Sequence, residues 1–315
     1  MPESAVQVIK PAFKKLVDEN AKLVQIASGM GFTEGCCYVP NGDYLIWSDI
    51  PNNRIYRWSE EGGISVFREP CGNTNGHTVD REGRILSCET SGRQVSITEL
   101  DGSVHPYIHQ YGGRKLTSPN DIIVKSDGSV WFSDPDYGAL HPELGHGELP
   151  DQETNRVYRF DPETRRVRAV IDDMDKPNGL AFSLDESILY VGDTARTHGE
   201  EENHHVMAFD VVDGERLANR RLFAEVDPWV PDGMRIDVQG NLWIAAGDGV
   251  QCHNPKGELI GKIKTPQVAA NLSFGRPDRK TLFITATDSV WAIPVLTAGA
   301  KRPNPPAPAP TEEAE

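Results

Sequence analysis

The stretch Ser118-Pro119-Asn120-Asp121-Ile122-Ile123-Val124-Lys125-Ser126-Asp127-Gly128-Ser129-Val130-Trp131-Phe132-Ser133-Asp134 decides the fold. A polar residue after proline opens an apolar strand, an Asp-Gly turn reverses the chain, and a second apolar strand returns. The same phrase recurs along the chain. It begins at Glu34 in T-E-G-C-C-Y-V, at Asn75 in T-N-G-H-T-V-D, at Asn178 in P-N-G-L-A-F-S and at Asp232 in P-D-G-M-R-I-D. A sixth copy, A-N-L-S-F-G, aligns with Ala270 in the leading position. The register is set by the apolar residue four places on: Tyr38, Val79, Val124, Phe182, Ile236 and Phe274.

Successive openings lie 41, 45, 58, 54 and 38 residues apart. Repeats of that length, each with several short strands, predict propeller blades. The expected fold is therefore all-β, a six-bladed β-propeller over residues 21–297. A β-sandwich or two small β domains is the rival reading, and six aligned units weigh against it. The two long steps carry insertions at 137–154 and 195–205, placed where loops build a site entrance. The first contains His141, Glu143, His146, Glu148 and Asp151, and is a candidate lid whose charged groups are expected to be solvated rather than ligating. Residues 1–20 form an N-terminal extension, and the weak period of Phe13, Leu16, Val17 and Leu23 predicts a short helix running into a strand. From Ala298 onward the Ala/Pro-rich, acid-ended sequence predicts a disordered tail.

The net charge of −15 argues against a nucleic-acid partner. No basic amphipathic stretch points to a membrane surface, and the first ten residues hold no long apolar run. The five cysteines are an odd number without a Cys-x-x-Cys pair, so reduced thiols and a cytoplasmic location are expected. Cys36 and Cys37 are read as buried strand residues in preference to a redox pair.

In a propeller the innermost strands line one channel, so the six leading positions meet around its axis. They read Glu34, Asn75, Asn120, Asn178, Asp232 and Ala270. Two carboxylates in a closed channel repel each other and are penalised by desolvation. One divalent cation removes both costs, with amide oxygens completing a hard-oxygen shell. Ca²⁺ suits such ligands best, and Mg²⁺ or Mn²⁺ share them. Zn²⁺ remains an option through the nearby His77 and Cys36. Taken singly, each Pro-Asn-Gly is an ordinary turn, and it is the repeated register, with Glu34 a poor turn former, that favours the metal reading. The second strands end at or beside Asp49, Glu89, Asp134, Asp193, Asp248 and Asp288, which are either rim acids or, as favoured here, caps for loop amides.

These segments resemble the gluconolactonase, senescence-marker-protein (regucalcin) and luciferin-regenerating-enzyme family, in its bacterial gluconolactonase branch. The resemblance rests on Phe32-Thr33-Glu34-Gly35, on 118–135, on Lys176-Pro177-Asn178-Gly179 and on Pro231-Asp232-Gly233-Met234, and it runs from about Leu23 to Pro294. It implies Glu34, Asn178 and Asp232 as metal ligands, Asn120 as a binder of substrate or water, and Asp232 as general base. Asn75 and His77 are further candidates for the substrate side, although a histidine beside an apolar strand is more often packed or hydrogen-bonded. The chain departs from the family at Cys36-Cys37-Tyr38, and at Ser118, where some members place an arginine.

The implied reaction is metal-dependent hydrolysis of a lactone such as glucono-1,5-lactone, with a small-molecule substrate and a monomer or homodimer as the acting form. Alternatives are a metal-dependent hydrolase of other lactones or phosphotriesters, and a non-catalytic calcium-binding propeller.

Overall fold

The computed structural model describes residues 4–198 and 202–301. Six antiparallel sheets of short strands stand around a central channel as a six-bladed β-propeller. Blade 1 contains Thr33–Val39, Tyr44–Asp49, Arg54–Ser59 and Gly63–Arg68. Blades 2, 3, 4, 5 and 6 begin with the inner strands Thr74–Val79, Ile122–Val124, Pro177–Phe182, Met234–Ile236 and Ala269–Gly275. Every strand–turn–strand phrase read from the sequence is the inner hairpin of one blade.

Two ends of the chain close the ring. Val24–Ser28 is the outermost strand of blade 6, paired with Ser289–Pro294. An early strand thus completes a sheet whose other three strands come last, and main-chain hydrogen bonds hold the circle shut. Val6–Val8 adds a fifth strand to blade 5 along Leu259–Lys264.

The predicted N-terminal helix is corrected. Pro11–Lys15 is a short 3₁₀ helix and not an α-helix, and the two short α-helices of the described chain lie at Tyr137–Leu140 and Ala195–His198. The physical reason is packing. Phe13, Leu16 and Val17 are drawn into a core shared with Trp243, Ile263 and Ile293. The strand Val6–Val8 is bonded to blade 5 just before this segment. At the other end, Ala298 O accepts from Val238 N, and Ala300 N donates to Ile236 O, so these residues of the expected tail run beside blade 5. The remainder of that tail, 302–315, lies outside the described residues.

Aromatic pairs join neighbouring blades. Trp131 meets Phe182 edge-on at 5.3 Å, Trp243 meets Phe274 at 5.6 Å, and Tyr38 stacks on Phe283 at 5.9 Å. Such pairs add to the burial of flat sheet faces. All five cysteines are free and buried. Cys36 and Cys37 point to opposite faces of their strand, into separate apolar clusters, as period-two alternation demands. No helix among the described residues is long and apolar enough to cross a membrane.

The N-terminal turn is a testable part of this core. Phe13 is fully buried and packs on Trp243 at 5.9 Å. It fills the space over Gly261, where a Cβ would come within 2.1 Å of its ring. Phe13→Ala is expected to cost about 3–5 kcal/mol, read as a lower urea midpoint with an unchanged slope. A loss below about 1 kcal/mol would show that the turn is not part of the core.

Candidate active site

The inner strands approach one another so closely that main chains touch across blades. Gly76 N donates to Asn120 O at 2.7 Å, and Gly233 N donates to Ala270 O at 2.9 Å. A side chain following the leading residue would collide there. A Cβ on Gly179 would lie 2.1 Å from Asp232 O, and one on Gly35 would lie 1.9 Å from Asn75 O. The glycine of each Glu-Gly or Asn-Gly pair is thus required by the neighbouring blade. Register shifts between Glu34 and Cys37, Thr74 and His77, and Pro177 and Leu180 place an irregularity at these same openings. Bulges re-aim side chains, and here the leading residues turn toward the axis.

Glu34, Asn75, Asn120, Asn178 and Asp232 line one cavity of about 110 Å³, together with Phe32, Ile50, Thr90, Ser118, Tyr137, His141 and Leu144. Glu34 is buried, and its Oε2 accepts from Gly35 N at 2.7 Å and from Asn271 Nδ2 at 3.2 Å. Burial, with Asp121 adding like charge, pushes its carboxyl up to about 7. Asp232 is pushed well above the usual carboxylate range by burial and by the charges of Glu34 and Asp121. The Asn178 amide hydrogen-bonds both the Asp232 carboxyl and the Tyr137 hydroxyl. Asp232 Oδ1 and Asn75 Oδ1 are buried with no partner among the described residues.

This donor set fits a hard divalent cation. It offers two carboxylates that disfavour each other's ionisation, amide oxygens beside them, and unpaired acceptors that a cation would satisfy. No group of three or more His, Cys, Asp or Glu side chains with metal-binding spacing occurs among the described residues, so any ion here depends on the amides. Glu34, Asn178 and Asp232 line the cavity and could hold one, with Asn75 and Asn120 beside them.

His77 is not brought to the cavity. Its Nε2 lies 2.8 Å from Ser48 Oγ and its Nδ1 2.8 Å from Ser87 Oγ, between blades 1 and 2. Burial lowers its pKa to about 3, so it stays neutral and serves packing. The strand-end acids serve loops. Asp134 accepts from Thr117 N and Ser118 N, Asp49 from Gly31 N, and Asp193 from Lys176 N.

The sequence reading missed three channel residues. Asp121 and Asn271 occupy the position that is glycine in the other four repeats, and that substitution is the signal that could have found them. Arg235 follows Met234 on the blade 5 strand, and its Nη1 lies 3.6 Å from Asp121 Oδ2. Tyr137 also escaped notice, because only the folded insertion carries it over the channel.

That insertion covers the site. Tyr137, His141 and Leu144 reach the cavity, and Gly138 N donates to Ser118 Oγ at 3.0 Å. Ser91 Oγ donates to Gly145 O at 2.7 Å. The acids of the insertion are partly employed: buried Arg93 holds Asp151 at 2.8 Å and Glu148 at 3.3 Å.

The sequence pattern of the SMP-30/Gluconolactonase/LRE-like region matches residues 32–288. The gluconolactonase of Zymomonas mobilis is 30% identical over 311 residues, spanning 92% of this chain and 85% of its own. The pentonolactonase XacC of Haloferax volcanii is 26% identical, with 80% of each chain covered. The solved structure of a gluconolactonase from Xanthomonas campestris superimposes with a TM-score of 0.86 at 34% identity, over 92% of this chain and 94% of that one. With its six repeats, its channel acids and these relatives, the chain belongs to the SMP-30/gluconolactonase/LRE-like family.

Proposed function

We propose that the chain is a metal-dependent lactonase that opens a sugar lactone of the glucono-1,5-lactone type to its hydroxy acid. The observation that carries this reading is the convergence of Glu34, Asp232 and three asparagines in one small lidded cavity, with two of their oxygens unpaired. The gluconolactonase and pentonolactonase names of its relatives support the substrate class.

Glu34, Asn178 and Asp232 would hold the cation. When bound, it supplies Lewis-acid polarisation of the lactone carbonyl. The second oxygen of Asp232 orients the attacking water and takes its proton. The water oxygen bonds to the acyl carbon, the ring C–O bond breaks, and the proton ends on the departing ring oxygen as a hydroxyl. Asn120 and Asn75 donate amide hydrogens to the substrate's hydroxyl groups. Phe32, Ile50 and Leu144 provide apolar walls that keep bulk water away.

Hydrolysis of glucono-1,5-lactone, followed with a pH indicator, tests the reading. Activity is expected to vanish after chelation, to return with one of Ca²⁺, Mg²⁺, Mn²⁺ or Zn²⁺, and to fall about 10²–10⁴-fold in Asp232→Ala. No turnover above spontaneous hydrolysis, by a protein that still binds metal, would redirect the search to other lactones and to phosphotriesters.

A second test uses pH. Acids whose folded pKa is raised contribute stability that is present below their unfolded pKa and lost as pH rises through the folded one. For Glu34 that window runs from 4.5 to about 7. Metal-free protein is therefore expected to lose stability across it, and an added cation should raise Tm more at pH 8 than at pH 5. Equal gains at both pH values would separate the acids from the cation.

The cavity of about 110 Å³ has room for only a few waters at roughly 30 Å³ each. Leu144 of the insertion is one of the residues that confine it. Leu144→Ala is expected to lower KM for bulkier lactones several-fold with little change in kcat. Unchanged selectivity would remove Leu144 from the entrance.

A further inference from the structure

The opposite mouth of the channel holds a second cavity, of about 470 Å³. It shares no lining residue with the candidate active site, and its volume lies within the roughly 300–1,000 Å³ of small-molecule pockets. Its walls are largely apolar, from Leu180, Phe182, Met234, Ile236 and Phe274. One side is the segment 298–301, where Ala300 N is bonded to Ile236 O and Gly299 N to Arg279 O.

The charged residues at this cavity are of the opposite sign to the protein as a whole. In a chain of net charge −15, the lining includes Arg235, Arg279 and Lys301 against a single acid, Glu186. Glu186 is committed elsewhere: it accepts from Ser126 N at 2.8 Å and pairs with Lys125 Nζ at 3.2 Å. Arg279 Nη1 is buried and lacks a hydrogen-bond partner among the described residues. An unsatisfied buried donor is costly, and an anionic acceptor would satisfy it. Arg235 donates from Nη1 to Met234 O at 2.7 Å and stands 3.6 Å from Asp121, leaving its other donors for a ligand.

We propose that this mouth is a binding site for a small organic carboxylate with an apolar body, the carboxylate directed at Arg279 and Arg235 and the body lying on Leu180, Phe182 and Phe274. A polyhydroxy acid would forgo the apolar contacts, and a neutral molecule would leave Arg279 unpaired. The proposal does not depend on the lactonase reading: the two cavities share no lining residue, and Arg235 alone, through its contact with Asp121, stands between them.

Calorimetric titration of the full-length protein, supplied with Ca²⁺, tests it with benzoate as probe and benzyl alcohol as the neutral control. Benzoate is expected to bind one per chain with a Kd on the order of 1 mM. Benzyl alcohol should bind at least about tenfold more weakly. Arg279→Gln should weaken benzoate at least about fivefold and leave any lactone hydrolysis unchanged. Lys301→Gln, at an exposed position, gives a second variant with little effect on folding. The proposal is overturned if benzoate shows no saturable binding, if the alcohol binds as well, or if folded Arg279→Gln binds benzoate as tightly as the unaltered protein, whatever Lys301→Gln does. Binding abolished by Glu34→Gln but untouched by Arg279→Gln would place benzoate in the active site and also overturn it. Binding seen only after removal of residues 302–315, which end in Glu312-Glu313-Ala314-Glu315, would name the chain's own acidic end as the occupant instead.

Discussion

Main-chain contact between the inner strands of adjacent blades governs the centre of this molecule. Where Gly76 N meets Asn120 O and Gly233 N meets Ala270 O, two strands from different sheets are joined as closely as strands within one sheet. That proximity forbids a Cβ at Gly35 and Gly179. It also turns the residue before each glycine onto the axis. The polar ring is therefore a consequence of how six sheets close. Channel width, bulge position and the identity of the leading residues are settled together.

Closure gathers acids that would not otherwise share a space. Glu34, Asp121 and Asp232 are buried within reach of one another, and each is pushed toward its neutral form. Arg235 offsets part of this from below, and the asparagines offer amide hydrogens and oxygens. Asn75 Oδ1, Asp121 Oδ2 and Asp232 Oδ1 are left without a hydrogen-bond partner among the described residues, which is the feature that the proposed cation would satisfy. The same arginine also faces the second cavity, so one side chain separates two chambers of different chemistry.

Access to the ring is decided by a loop whose anchors are remote from the chemistry. Buried Arg93 grips two acids of the insertion, and Gln152 Nε2 donates to Lys115 O at 2.9 Å. Ser118, standing where some family members have arginine, accepts from Gly138 N and donates to Pro135 O at 2.6 Å. Its hydroxyl is thus spent on holding the insertion, and under the proposed lactonase reading contact with substrate would fall to Asn120, Asn75 and the insertion.

Much of this was legible in the chain itself. Alternating apolar strands, Asp-Gly turns and a repeat of about 40 to 58 residues are local signals, and local backbone preferences carry them into six hairpins with little ambiguity. The leading residues could be assigned to one axis because equivalent positions of a closed repeat must meet. Long-range packing was not legible. Phe13 looks α-helical by spacing, yet it lies in a short 3₁₀ helix packed on Trp243, beside an added edge strand. His77 sits two residues from a ring asparagine, yet alternation along the strand sends it between blades, onto Ser48 and Ser87. Tyr137, Arg235 and the cationic far mouth come from segments far apart in sequence, and only closure of the propeller sets them together. The sequence by itself determined the repeat, the strands and the residues of the ring. The tertiary structure decided which neighbours those residues have, because burial and charge compensation arise between blades and not within them.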